Sequence, residues 1–147
     1  MEQNILWSSK MKLQVIKPNQ EPISGYETVV LTDTLDLSHV IANSCESVFC
    51  PDICDMFPAV DLAKGIEALV SKMRIGASIV LGGTDIRAFS KNVSNGLVPL
   101  LEASNIIGIC RSMTTPDSII QVFSSLGLNI ESVNIDGIHY EVKARRS

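Results

Sequence analysis

Thr114-Thr115-Pro116-Asp117-Ser118-Ile119-Ile120-Gln121-Val122-Phe123-Ser124-Ser125-Leu126-Gly127-Leu128 leads into Asn129–Ile135, then Asp136-Gly137, then Ile138–Ala144. Each part of this stretch has a local physical reading. Thr115 suits an N-cap and Pro116 the first helical position, where a missing N–H costs nothing. Ile119, Ile120, Val122, Phe123 and Leu126 recur on one helical face. Gly127 supplies a left-handed stop. The two following runs alternate apolar and polar residues. Asp136-Gly137 between them predicts a two-residue type I′ turn with both residues at positive φ. The stretch predicts a helix followed by an antiparallel hairpin at one side of a sheet.

Working toward the N-terminus, Ala77–Leu81 is a short apolar run bounded by glycines, the pattern of a central strand. Gly82-Gly83-Thr84-Asp85 reads as the loop after it. Upstream, Leu62, Ile66, Leu69, Val70 and Met73 share one face of a helix beginning at Asp61, with Gly76 as its end. Downstream, a helical segment runs through Phe89, Asn95-Gly96 breaks it, and Leu97–Ala103 resumes helix. Ile106–Cys110 is apolar but interrupted by Gly108. Lys12–Ile16, Glu27–Thr32 and Ser47–Cys50 read as strands, and Asp33–Ser44 as irregular chain. Strands alternating with helices, then a hairpin, predict an α/β fold with a mixed sheet.

Composition narrows the classes. A chain of 147 residues predicts one domain with a real core. Hydrophobic residues make up 46 % and mean hydropathy is +0.25. Arg74, Gly76, Gly82, Gly83 and Asp85 break the apolar runs before membrane-spanning length, so no membrane partner is expected. Net charge is −4, which argues against nucleic acid, because such binding needs a basic face. Lys143, Arg145 and Arg146 read as a solvated tail. Met1-Glu2-Gln3-Asn4 lacks the basic start of an export signal, so the four cysteines are expected as free thiols in a reducing, cytoplasmic setting.

The segment Ala42–Asp85 resembles the second half of a class I S-adenosylmethionine (SAM)-dependent methyltransferase. Asn43-Ser44-Cys45-Glu46-Ser47-Val48 resembles the approach to that family's fourth strand. The helix from Asp61 and Met73-Arg74-Ile75-Gly76-Ala77-Ser78-Ile79-Val80 resemble its helix and fifth strand, without the usual proline. Leu126-Gly127-Leu128 and Glu141–Arg145 resemble its last helix and hairpin. About two-thirds of the chain is covered. The resemblance implies a Rossmann-like methyltransferase fold, truncated in its N-terminal half.

In that family a glycine-rich loop follows the first strand, because a side chain there would block the methionine part of SAM. Val15-Ile16-Lys17-Pro18 stands at that place. Only about ten residues separate the first two strands, too few for a crossover helix. Carried over by position, the resemblance makes Ile16, Thr32, Asp36, Cys50 and Asp52 the candidate cofactor-binding residues. Thr84 and Asp85 follow at the end of the fifth strand. Asp36 would meet adenine, and Cys50-Pro51-Asp52 would lie near the reacting group of a substrate. All fall where carboxyl ends of parallel strands gather ligands. Asp36 and Asp85 also suit turns and caps, and Cys50 suits a core.

His39, Cys45, Cys50 and Cys54 fall within sixteen positions, but not as a CxxC pair, so no metal is expected. His139 reads as a solvated strand residue, and no residue is assigned to catalysis. The expected function is that of a degenerate methyltransferase-like protein, non-catalytic, working as an interaction or assembly module. The alternative is a minimal active SAM-dependent enzyme. Loss of a crossover helix predicts an oligomer or a protein partner, with Leu13–Ile41 contributing to the contact.

Overall fold

The computed structural model describes residues 11–147. The reading of Met1–Asn4 lies outside them. One six-stranded sheet carries the fold. Its strands are β1 (Met11–Ile16), β2 (Glu27–Val30), β3 (Cys45–Cys50), β4 (Met73–Thr84), β5 (Leu128–Asp136) and β6 (His139–Arg146). The order across the sheet is β2-β1-β3-β4-β6-β5. The first four strands are parallel, and β6 runs antiparallel to both β4 and β5. The predicted mixed sheet with a terminal hairpin and a central Ala77–Leu81 is therefore present.

The helices are α1 (Leu62–Val70), α2 (Ile86–Ser94), α3 (Leu100–Ile109) and α4 (Pro116–Ser125). Period-two alternation places Leu13, Val48, Ile79 and Ala144 in register on one face of the sheet. Leu62, Ile66, Leu69 and Val70 of α1, with Ile119 and Phe123 of α4, pack on that face to make the main core. Met73 belongs to this core but not to the helix. α1 stops at Val70, Met73 begins β4, and Gly76 lies inside that strand.

No helix spans either the 17–26 connection or the 31–44 connection. The first of these folds back over the other face of the sheet. Gln14, almost fully buried, ties it down: its side-chain amide donates to the Ile23 carbonyl and Thr28 Oγ1, and its oxygen accepts from the Ile23 N–H. Tyr26 then lies 6.1 Å, centroid to centroid, from Phe49. The expected bare face is thus partly clothed by loop. Toward the hairpin it is polar, with Glu131 paired to Arg145 at 2.9 Å and Lys143 at 4.0 Å.

Several boundaries differ from the sequence expectation. Gly82, Gly83 and Thr84 are not a loop but the end of β4, held by pairing to Glu141, Tyr140 and His139. β2 stops at Val30, so Thr32 lies beyond it. α3 starts at Leu100 and continues through Gly108 to Ile109. The hairpin turn is shifted by one residue. Asp136 pairs with His139, so Gly137-Ile138 is the loop. Gly137 has φ of 63° and Asp136 is not left-handed, which fits a type II′ rather than a type I′ turn. The basic C-terminal residues are not a solvated tail. Arg146 Nη1 donates to Asn43 Oδ1 at 2.8 Å and to the Met73 carbonyl, and Arg145 Nη1 to the Gly76 carbonyl at 2.6 Å.

Candidate functional site

The carboxyl ends of β1, β3 and β4 meet the start of β6 around a cavity of about 260 Å³. Lys17, leaving β1, places Nζ 2.6 Å from Asp52 Oδ2, just beyond β3. His139 Nδ1 lies 3.8 Å from Asp52 Oδ1, and its Nε2 lies 3.5 Å from Glu141. Lys17, Asp52 and His139 form one polar wall. Ile106, Ile109, Ile138 and Met56 form the apolar one.

Asp55 makes the floor. It sits in a 3₁₀ turn, Cys54–Met56, and is buried. Its Oδ1 accepts the Thr84 N–H at 2.8 Å and its Oδ2 accepts the Thr84 hydroxyl at 2.6 Å. The Cys110 thiol donates to Oδ2 at 3.5 Å. Burial, then the Asp55 charge, push that thiol up to about 11, so it stays protonated and able to donate. The Asp55 carbonyl accepts from the Arg111 N–H at 2.8 Å, which binds the end of α3 to the site.

The turn can approach β4 this closely because Gly82 and Gly83 carry no side chain. A Cβ at Gly82 would sit on the Pro51 carbonyl oxygen and 2.5 Å from that of Tyr140. One at Gly83 would lie 2.8 Å from Asp55 Oδ1. The Gly82-Gly83 pair thus serves backbone packing beneath the site.

Of the residues expected to bind a cofactor, Asp52 lines this cavity. Ile16 is buried at the end of β1 and lines a different pocket, with Gln14, Ile23 and Phe49. Thr32 is exposed. Asp36 is spent on a turn: its Oδ1 accepts both the N–H and the hydroxyl of Ser38, which lower its pKa. Cys50 is a core residue with no exposure, and desolvation raises its pKa. Asp85 caps α2 by accepting the Arg87 N–H at 3.0 Å, whereas Thr84 does reach the site. Lys17, Asp55, Cys110 and His139 were not anticipated. His139 is not simply solvated but faces Asp52. The strand-end positions of Cys50-Pro51-Asp52 and of Thr84 were the sequence signals that led here.

A second cavity of about 260 Å³ lies on the other side of Met56, between Leu31, Asp33, Leu35 and the start of α1. Asp33, three residues beyond the end of β2, has its carboxylate 2.9 Å from Arg111.

No protein-family model matches the chain, and no curated protein does. Solved structures do. A SAM-dependent methyltransferase from Archaeoglobus fulgidus superposes with a TM-score of 0.64 at 10 % identity, over 99 % of this chain and 90 % of that one. Magnesium protoporphyrin IX methyltransferase from Synechocystis PCC 6803, solved with bound SAH, gives 0.56 at 17 % identity, over 84 % of this chain and 53 % of its own. An O-methyltransferase family protein from Burkholderia thailandensis gives 0.59 at 13 % identity, over 83 % and 36 %. The fold is that of SAM-dependent methyltransferases. The chain spans nearly the whole of the first neighbour but about half or less of the other two. Among the described residues, no helix is long and apolar enough to cross a membrane.

A lysine and a proline leave β1 where a glycine loop would approach the ligand, and no helix follows to point its N–H groups there. Asp33 and Asp36, both exposed, contact Arg111 and Ser38.

Proposed function

We propose that this protein is a non-catalytic relative of SAM-dependent methyltransferases that acts as an interaction or assembly module. The Lys17–Asp52 ion pair carries the reading. It bridges the ends of β1 and β3, where the resemblance to methyltransferases would put the glycine loop that approaches the methyl donor. Binding there would require separating two half-buried charges, and lone charges removed from water are costly. Calorimetry with SAM and with its demethylated product tests this. The expected result is no binding tighter than about millimolar, roughly 4 kcal/mol. A micromolar isotherm would restore an enzyme.

The minimal active methyltransferase is the second reading. The paired cavities on either side of Met56 favour it, since both open at the carboxyl ends of the strands.

The assembly part of the proposal rests on α3. An apolar helix face is normally buried against another element. In α3, only Ala103 is buried, while Leu100, Leu101, Ile107 and Ile109 are more than half exposed, as is Leu97 just before it. Leu97, Leu100, Leu101, Ser104, Ile107 and Gly108 follow the three-and-four spacing of one helix face. That face carries no charge, and Ser104 and Gly108 allow close approach of a like helix. A second copy of the chain is the partner it suits. The Leu13–Ile41 region contributes less, because its exposed apolar side chains, Ile23, Val30 and Ile41, are scattered.

A further inference from the structure

We infer that the cavity over Asp55 is a binding site for a small primary amine carrying a short apolar body. The inference concerns the space that the Lys17–Asp52 pair leaves open, so it stands apart from whether a methyl donor binds. Asp55 is 7 % exposed, and among the described residues no lysine, arginine or histidine lies within salt-bridge distance of it. Buried charges in proteins are normally paired. Asp55 is held only by neutral donors: the Thr84 N–H and hydroxyl, and the Cys110 thiol. An ionised carboxylate offers about four acceptor positions, and three are used.

The charge around the cavity has one sign in excess. Lys17 and Asp52 cancel as a pair. Asp55 then leaves one negative charge. If His139 takes up a proton, Glu141 at 3.5 Å balances it, and the excess stays negative. Lys17, Asp52, Asp55 and His139 are the charged or titratable lining groups apart from the Cys110 thiol, with Glu141 behind His139. A cation fits this field and an anion does not. The volume, about 260 Å³, falls below the roughly 300–1,000 Å³ of drug-sized sites. Ile106, Ile109, Ile138 and Met56 would hold a short alkyl body. A primary ammonium supplies the positive charge that no neighbouring side chain gives Asp55.

The probe is n-butylammonium chloride, with n-butanol and n-butyrate as neutral and anionic counterparts. The reporter is the amide of Thr84, which donates to Asp55, followed by nitrogen-15 NMR of the whole chain. Butylammonium should shift the Thr84 amide saturably and bind at least tenfold tighter than either counterpart. Asp55→Asn should abolish that preference. Because that substitution touches the buried floor, Ile109→Lys provides a second test at an exposed position on the rim. Its own ammonium should compete and weaken butylammonium at least tenfold. Equal affinity for all three probes, or shifts that avoid Thr84, would overturn the inference. SAM titrated in parallel reports separately: its binding would overturn the non-catalytic reading and leave the amine preference to be judged on the three probes.

Discussion

Asp55 accepts both the amide and the hydroxyl of Thr84, at 2.8 and 2.6 Å, and so joins the turn after β3 to the last residue of β4. Both residues are buried. Thr84→Val keeps the shape but removes the hydroxyl, leaving a buried carboxylate short of a donor. That should cost about 1–3 kcal/mol of stability. Urea unfolding measures it, and a change within error of zero would mean that the hydroxyl bond contributes nothing.

Gly82→Ala should be among the most damaging single substitutions in the chain. Its Cβ would meet two backbone carbonyls, from Pro51 and Tyr140, and neither is a side chain able to swing away. Overpacking costs about 1–3 kcal/mol where side chains can adjust, and more where they cannot. A loss above about 3 kcal/mol, or insoluble protein, is expected. Gly83→Ala should be milder in stability, while displacing Asp55. Thermal melts of both variants decide the order.

The thiols should make the fold alkali-sensitive. Burial first, then Asp55, raise Cys110 from 9.0 to about 11, and burial also raises Cys54, to about 12. In the unfolded chain these thiols ionise near the ordinary value of a free cysteine, about 8.5. The stability held by the neutral folded thiols is therefore complete below about pH 9 and is lost as pH rises through 11. The melting temperature should fall across that window, and less steeply in Cys110→Ala. Iodoacetamide at pH 8 should label native protein slowly and unfolded protein fast.

Self-association should depend on α3. Light scattering of the 16.0 kDa chain should show mass rising with concentration. Leu100→Glu with Leu101→Glu should return it to monomer, since both side chains are exposed and their change leaves the core alone. A native chain that stays monomeric over a wide concentration range rejects a second copy as the partner.

How much was legible depended on the sequence distance of each interaction. Thr115, Pro116 and Gly127 act on their own neighbours, so α4 and its ends could be read directly. The hairpin was legible, but its turn was not. Asp-Gly suits both central places of one turn, and Gly alone suits the first place of another. Pairing of Ile135 with Tyr140 and Asp136 with His139 decides between them. Met73 kept helical spacing and still went to β4, because tertiary pairing with Cys45 overrides a stripe that has already ended. The candidate site was least legible. Asp55 means little until Thr84, 29 residues away, and Cys110, 55 away, are brought to it. The missing glycine loop could be read, whereas the ion pair from Lys17 to Asp52 could not.

The place of β6 sets the order in which the molecule can be completed. β6, which follows β5 in the chain, lies inside the sheet, between β4 and β5, and not at its rim. During synthesis, β4 must therefore wait with one flank of N–H and C=O groups unpaired until residues 139–146 emerge. An open flank invites pairing with another chain. Removing β6, His139–Arg146, would do more than delete one strand. It would strand β5 without a neighbour, free the chain around Asn43 and Met73 from Arg146, and turn the middle of the sheet into an adhesive edge. Aggregation of nascent or clipped chains is the expected hazard of this topology.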